Sequence, residues 1–148
     1  MKIGEMLRGA KRLFLDTAPV IYFVERNPDY LERAQPAFAQ IDAGTITAVT
    51  SPVTLSECLV VPLRLGLESL RQDFVDLLQS GANTTFVNID GDTARRAAEL
   101  RARYNLSLLD AFQVAAALAA DCDAFLTNDA TLKRVTELTV IVLDDLDL

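Results

Sequence analysis

Short apolar runs bounded by turn residues, separated by longer stretches of helical periodicity, are what most constrain this chain, because that alternation is the rhythm of an α/β domain. Leu13–Leu15, Ile46–Thr50, Thr85–Ile89, Ala124–Thr127 and Leu138–Leu143 read as strands. Asp16 and Thr17 stand as N-caps of a helix with Pro19 in its first turn, ending near Asn27-Pro28. Tyr30–Ala43 follows with Gly44 as its stop and Pro36 as a kink. Ser51-Pro52 opens a helix that breaks near Pro62 or Gly66, and Leu67–Gln79, Thr93–Tyr104, Ser107–Ala120 and the brief Ala130–Val135 complete the series. The pattern predicts one α/β domain over residues 1–148, with 1–12 as an N-terminal extension and 144–148 as an acidic tail.

Composition narrows the chemistry. With 148 residues, 51% of them hydrophobic, the chain can bury a substantial core. No apolar stretch approaches the ~20 residues of a membrane span, and Met1–Arg12 lacks the apolar centre of a signal peptide, so a cytoplasmic protein is expected. The net charge of −7 argues against a passive nucleic-acid coat but not against a nucleic-acid enzyme. There is no histidine, which removes Ser-His and Cys-His nucleophiles and His-ligated zinc. Cys58 and Cys122 have no zinc or redox spacing and read as buried thiols. Chemistry at neutral pH therefore falls to carboxylates, with a metal as the expected partner.

Four acids sit where an apolar run gives way to a helix start: Asp16, Glu57, Asp110 and Asp129. In an open parallel sheet, ligands bind beyond the carboxyl ends of the strands. Asp16, Glu57 and Asp129 follow the first, second and fourth strands by a few residues and belong to that edge. Asp110 opens a helix that must return antiparallel to feed Ala124–Thr127, so its N-terminus belongs there too. Helix capping explains each acid singly, with Thr54-x-x-Glu57 and Ser107-x-x-Asp110 at capping-box spacing. Their joint placement points instead to a hard-cation site of oxygen ligands, suited to Mg²⁺ or Mn²⁺.

Those residues carry a resemblance. "FLDTAPVIYFVE" with Asp16 and Thr17, "SPVTLSECL" with Glu57, "LSLLDAFQVAAAL" with Asp110, and "FLTNDATLKRV" with Thr127, Asn128 and Asp129 make the chain similar to PIN-domain ribonucleases, especially the toxins of VapBC toxin–antitoxin pairs, from Leu13 to about Leu143. The resemblance implies a three-layer α/β/α fold around a mostly parallel sheet and Mg²⁺- or Mn²⁺-dependent cleavage of RNA. It implies Asp16, Glu57, Asp110 and Asp129 as metal-binding catalytic acids, with Thr17, Thr127 and Asn128 in support. It also implies a homodimer and a cognate antitoxin as partners.

Alternatives within nucleases are a PIN protein of RNA maturation or quality control, or one acting on structured DNA. A receiver-like cation-binding phosphoacceptor module is a different class, but it requires adjacent acids that Leu13–Leu15 does not provide. Arg95, Arg96, Arg101 and Arg103 share one helix, and Arg64, Arg71, Lys133 and Arg134 lie near other site segments; solvated ion pairs explain them as well as substrate contacts do. Tyr22, Phe23 and Tyr104 offer stacking faces or helix packing. Met1–Arg12 reads as an extra helix or a partner contact, and Asp121 and Asp123 as solvated turn residues at the opposite edge.

Overall fold

The computed structural model describes residues 1–148. Five parallel strands form one sheet in the order β3-β2-β1-β4-β5, with β1 Arg12–Leu15, β2 Thr47–Thr50, β3 Thr84–Phe86, β4 Ala124–Thr127 and β5 Thr139–Val142. Side chains alternate across a strand. Leu13 and Leu15 therefore enter a core formed with α1 Ile3–Met6, α2 Thr17–Val24, α3 Leu31–Asp42, α4 Pro52–Leu65 and α5 Glu68–Ser80. Phe14 enters the opposite core, where it stacks on Phe125 beneath α6 Gly91–Tyr104 and α7 Leu108–Ala119. The result is the expected three-layer α/β/α arrangement, with no antiparallel strand.

Departures from the sequence reading have local causes. Strand β3 is three residues long rather than Thr85–Ile89. It is an edge strand paired only with β2, and its ladder ends where Val87 N–H meets Thr50 O. Helix α4 does not break at Pro62; it runs to Leu65 and closes on Gly66, whose φ of 69° is the left-handed conformation glycine adopts without a Cβ clash. Pro36 likewise lies inside α3 without ending it. The segment Ala130–Arg134 is a 3-10 turn.

The first dozen residues are neither a loose extension nor a free surface. Ile3 and Leu7 are buried in the same core as Phe38 and Ile41 of α3. Asp123 accepts from the backbone N–H groups of Lys11 and Arg12 at 2.7 and 2.9 Å, so it anchors the start of β1 rather than merely facing water; those bonds hold its pKa below the usual carboxylate value. The tail returns to the chain start, with Leu146 buried in that core, Asp147 N–H donating to Met1 O and the Asp147 carboxylate 2.9 Å from the amino terminus. Asp121 is an exposed turn residue at φ 56°, as expected.

Replacing Leu7 with Ala is expected to lower stability by about 2–5 kcal/mol in urea titration, the cost of emptying a buried Leu site. A loss under about 0.5 kcal/mol, typical of surface positions, would show that the N-terminal segment is peripheral to the core.

Candidate active site

The parallel register brings the ends of β1, β2 and β4 to one edge, and Asp16 stands one residue beyond β1. Its N–H donates to Leu126 O on β4 at 3.0 Å. Although Asp16 occupies the N-cap position of α2, its side chain makes no capping bond. It is instead held laterally: Thr127 Oγ1 donates to Oδ2 at 2.7 Å and Gln113 Nε2 to Oδ1 at 3.3 Å. With only 9% of its surface exposed, burial pushes the Asp16 pKa up, and the nearby Glu57 charge pushes the same way. Hydrogen bonds from Thr127, the Thr17 backbone and Gln113 oppose that push without cancelling it.

Asp110 lies in the first turn of α7, whose N-cap Ser107 accepts from Asp110 N–H at 3.2 Å. Burial, and then the charge of Asp16, raise its pKa to about 6, and Asp129 adds to the rise. Asp110 is thus neighbour to two acids from separate strand ends, as its antiparallel return predicts. Asp129 does cap the 3-10 turn after β4, its Oδ1 accepting from Thr131 N–H at 2.9 Å. Glu57 is exposed in the second turn of α4, where Thr17 Oγ1 donates to its Oε1 at 2.7 Å. The Thr54-x-x-Glu57 capping box does not form, because Ser51 is the N-cap and Thr54 is buried inside the helix.

The supporting residues separate. The Thr127 hydroxyl donates to Asp16 and accepts from Asp129 N–H at 3.1 Å, so one buried oxygen sets two acids. Thr17 links the start of α2 to Glu57. Asn128 turns the other way, its Nδ2 donating to Tyr22 Oη at 3.4 Å and its Oδ1 accepting from Asp144 N–H at 2.9 Å. The sequence reading missed Gln113, Ser51 and Thr54. A visible signal for Gln113 was a polar residue inside the apolar run Ala111–Ala120, three positions after Asp110.

No group of three acidic side chains stands close enough together to enclose an ion by itself. The donor set nevertheless fits a hard cation of the kind that keeps several waters and takes only one or two carboxylates: all donors are oxygens, the Asp16 charge bears on Asp110, and the charges of Glu57 and Asp129 bear on Asp16 and Asp110 in turn. The α6 arginines do not gather here. Arg95 pairs with Asp92, Arg96 and Arg103 with Glu137, and Arg101 Nε bonds Leu106 O. Tyr22 stacks on Tyr30, Phe23 on Phe38, and Tyr104 bonds Glu137, so packing accounts for all three aromatics. Burial pushes both cysteine thiols up to about 12, which makes them poor nucleophiles.

Among solved structures, the fold is similar to VapBC2 from Rickettsia felis bound to a promoter DNA fragment, with 17% identity over 88% of this chain and 98% of that one and a TM-score of 0.69. It is similar to a toxin–antitoxin complex from Klebsiella pneumoniae, with 21% identity, coverage of 88% and 97%, and a TM-score of 0.65. It is also similar to VapC20 from Mycobacterium tuberculosis, a toxin that cleaves the sarcin-ricin loop, with 17% identity, coverage of 76% and 86%, and a TM-score of 0.61. No curated protein matches the sequence. Residues 13–138 match the PIN domain family, a span that contains all four acids, strands β2 to β4 and all of β1 but its first residue, and the chain belongs to that family.

Proposed function

We propose that the protein is a Mg²⁺- or Mn²⁺-dependent endoribonuclease and the toxin of a toxin–antitoxin pair. The observation that carries this reading is the gathering of acids from distant chain segments at one sheet edge, where Thr127 Oγ1 donates to Asp16 and accepts from Asp129 N–H, and the charges of both acids bear on Asp110. When bound, a divalent cation supplies the positive charge that stabilises phosphodiester displacement and favours ionisation of the attacking water. The chain's own residues prepare that place. Thr127 and Gln113 orient the Asp16 carboxylate and oppose its protonation. The α7 N-terminus favours the ionised form of Asp110, in opposition to burial and its acidic neighbours. Glu57 and Asp129 complete the acidic rim, and capping by Asp129 fixes its carboxylate rather than competing with its role.

Partners and substrate follow from the same reading. Single-stranded RNA loops are the expected substrate, since splayed bases leave the backbone accessible to a recessed acid site. Arg64, seven residues after Glu57 on α4, has no carboxylate partner and is proposed to meet a substrate phosphate. Val60, Val61, Leu63 and Leu65 on α4 and Leu108 and Leu109 on α7 are exposed, which supports the homodimer. The toxin assignment draws on the VapBC complexes among the similar structures. No helix is long and apolar enough to cross a membrane, consistent with a cytoplasmic site of action.

Asp16→Asn and Asp110→Asn are each expected to reduce Mg²⁺-dependent RNA cleavage by on the order of 10³-fold or more, since metal charge stabilisation is worth several kcal/mol. Thermal stability should be unchanged or raised, because each substitution relieves repulsion among the acids. Wild-type cleavage by either purified variant would refute the assignment of that acid.

The raised Asp110 pKa also sets a pH signature. In metal-free protein the folded state keeps its proton up to about pH 6, against 3.8 for an ordinary Asp, so the folded state binds more protons in that window. The Asp110 contribution to stability should therefore decline as pH rises from about 4 to about 6, so the stability of wild type relative to Asp110→Asn should fall through this window in thermal unfolding. Mg²⁺ should bind more weakly below pH 6, where it competes with that proton. A difference between wild type and Asp110→Asn that does not change through this window contradicts the placement of Asp110. Finally, expression should arrest growth and co-expression of an adjacent small reading frame should restore it; normal growth with abundant active protein favours RNA maturation.

A further inference from the structure

Gln113 is 1% exposed, in the middle of the Ala-rich helix α7, flanked by the buried residues Ala111, Val114, Ala115, Ala116 and Ala117. An aliphatic residue would satisfy packing there, so the amide needs its own explanation. Every polar atom of Gln113 is engaged. Its Oε1 accepts from Ser51 Oγ, and its Nε2 donates to Thr54 Oγ1 at 2.7 Å and Asp16 Oδ1 at 3.3 Å.

The proton assignments around it are forced. Ser51 Oγ accepts from Thr54 N–H at 3.4 Å, which leaves its own proton for Gln113 Oε1. Thr54 Oγ1 gives its proton to Leu15 O at 3.2 Å, which leaves a lone pair for Gln113 Nε2. A flipped amide would set its carbonyl oxygen against the Asp16 carboxylate, two acceptors facing each other. The N–H edge of Gln113 therefore faces Asp16.

These bonds close a ring through Leu15 O, Thr54, Gln113 and Asp16, which grips the end of β1 by both its backbone and its carboxylate. Three elements meet in it: β1, the first turn of α4 and α7. Glu57 lies one turn beyond Thr54 on α4, and Asp110 lies one turn before Gln113 on α7. The same ring therefore sets the spacing of three of the four acids.

We propose that Gln113 is a positioning residue, which fixes the Asp16 carboxylate and the relative placement of α4 and α7 for cation binding without itself touching RNA. The inference rests on the ribonuclease reading. Ligand-supporting groups of this kind change metal affinity or activity by about 10- to 100-fold when replaced.

The test uses full-length wild type, Gln113→Met, which keeps the side-chain length but removes the amide, and Gln113→Glu, which replaces the donor with a second carboxylate. Mn²⁺ affinity is measured by calorimetry on RNA-free protein, and cleavage is resolved into kcat and KM. Both variants should bind Mn²⁺ about 10- to 100-fold more weakly and lose kcat by a similar factor, with KM for RNA within about twofold of wild type. In wild type, which needs no variant to fold, the Gln113 side-chain amide resonances should shift when Mg²⁺ is added. Unchanged Mn²⁺ affinity and kcat in folded variants, whatever their melting temperature, overturn the inference, as does a Gln113 amide that does not respond to Mg²⁺ in an active wild type. A wild type that neither binds Mn²⁺ nor cuts RNA overturns the ribonuclease reading and this inference with it.

Discussion

The hydroxyl of Thr127 donating to the buried carboxylate of Asp16 is the contact around which the site is arranged. It joins the ends of the central strand β1 and its neighbour β4, because the two pair in register from Leu13–Ala124 to Leu15–Leu126 and leave Asp16 and Thr127 facing each other beyond the ladder. A carboxylate placed there loses most of its water, and that loss is tolerable only with donors at both oxygens. Thr127 supplies one and Gln113 the other. Since Thr127 also accepts from Asp129 N–H, the position of a third strand-end group depends on the same oxygen.

Local helix chemistry and site chemistry act together at this edge. Ser107 caps α7 and thereby aims Asp110, Asp129 caps the turn after β4, and Ser51 caps α4 while its proton holds the Gln113 amide. The acids nevertheless oppose one another, which is why burial and mutual charge hold Asp110 near 6. A fold that accepts this repulsion is poised for a counter-charge. A cation relieves it inside, whereas the surrounding chain only restrains it.

Much of this was legible in the sequence because it depends on strong local signals. The apolar runs at Leu13–Leu15 and Ala124–Thr127 name strands whatever the tertiary context, and a parallel sheet then dictates that their following acids share an edge. Asp110 was legible only through topology, from the need for α7 to return before β4. Gln113 was harder to read: a glutamine inside an apolar helix stands out locally, but its role is created by Ser51 and Thr54, some sixty residues away. That Met1–Arg12 holds a helix was among the readings, but its burial was hidden for a similar reason, since Ile3 and Leu7 gain their meaning from α3. Asn128, read with the site acids from its position beside Asp129, instead binds Tyr22 and the tail, because its side chain leaves the strand end on the opposite side from that of Thr127.

The central claim is that these acids, gathered by the sheet edge, hold a divalent cation. Anomalous diffraction from crystals of the protein soaked in Mn²⁺ tests it most directly. A manganese peak is expected in contact with Asp16 and Asp110, directly or through water, with Glu57 and Asp129 beside it. A peak confined to other acids, or none at a concentration that supports RNA cleavage, would contradict it.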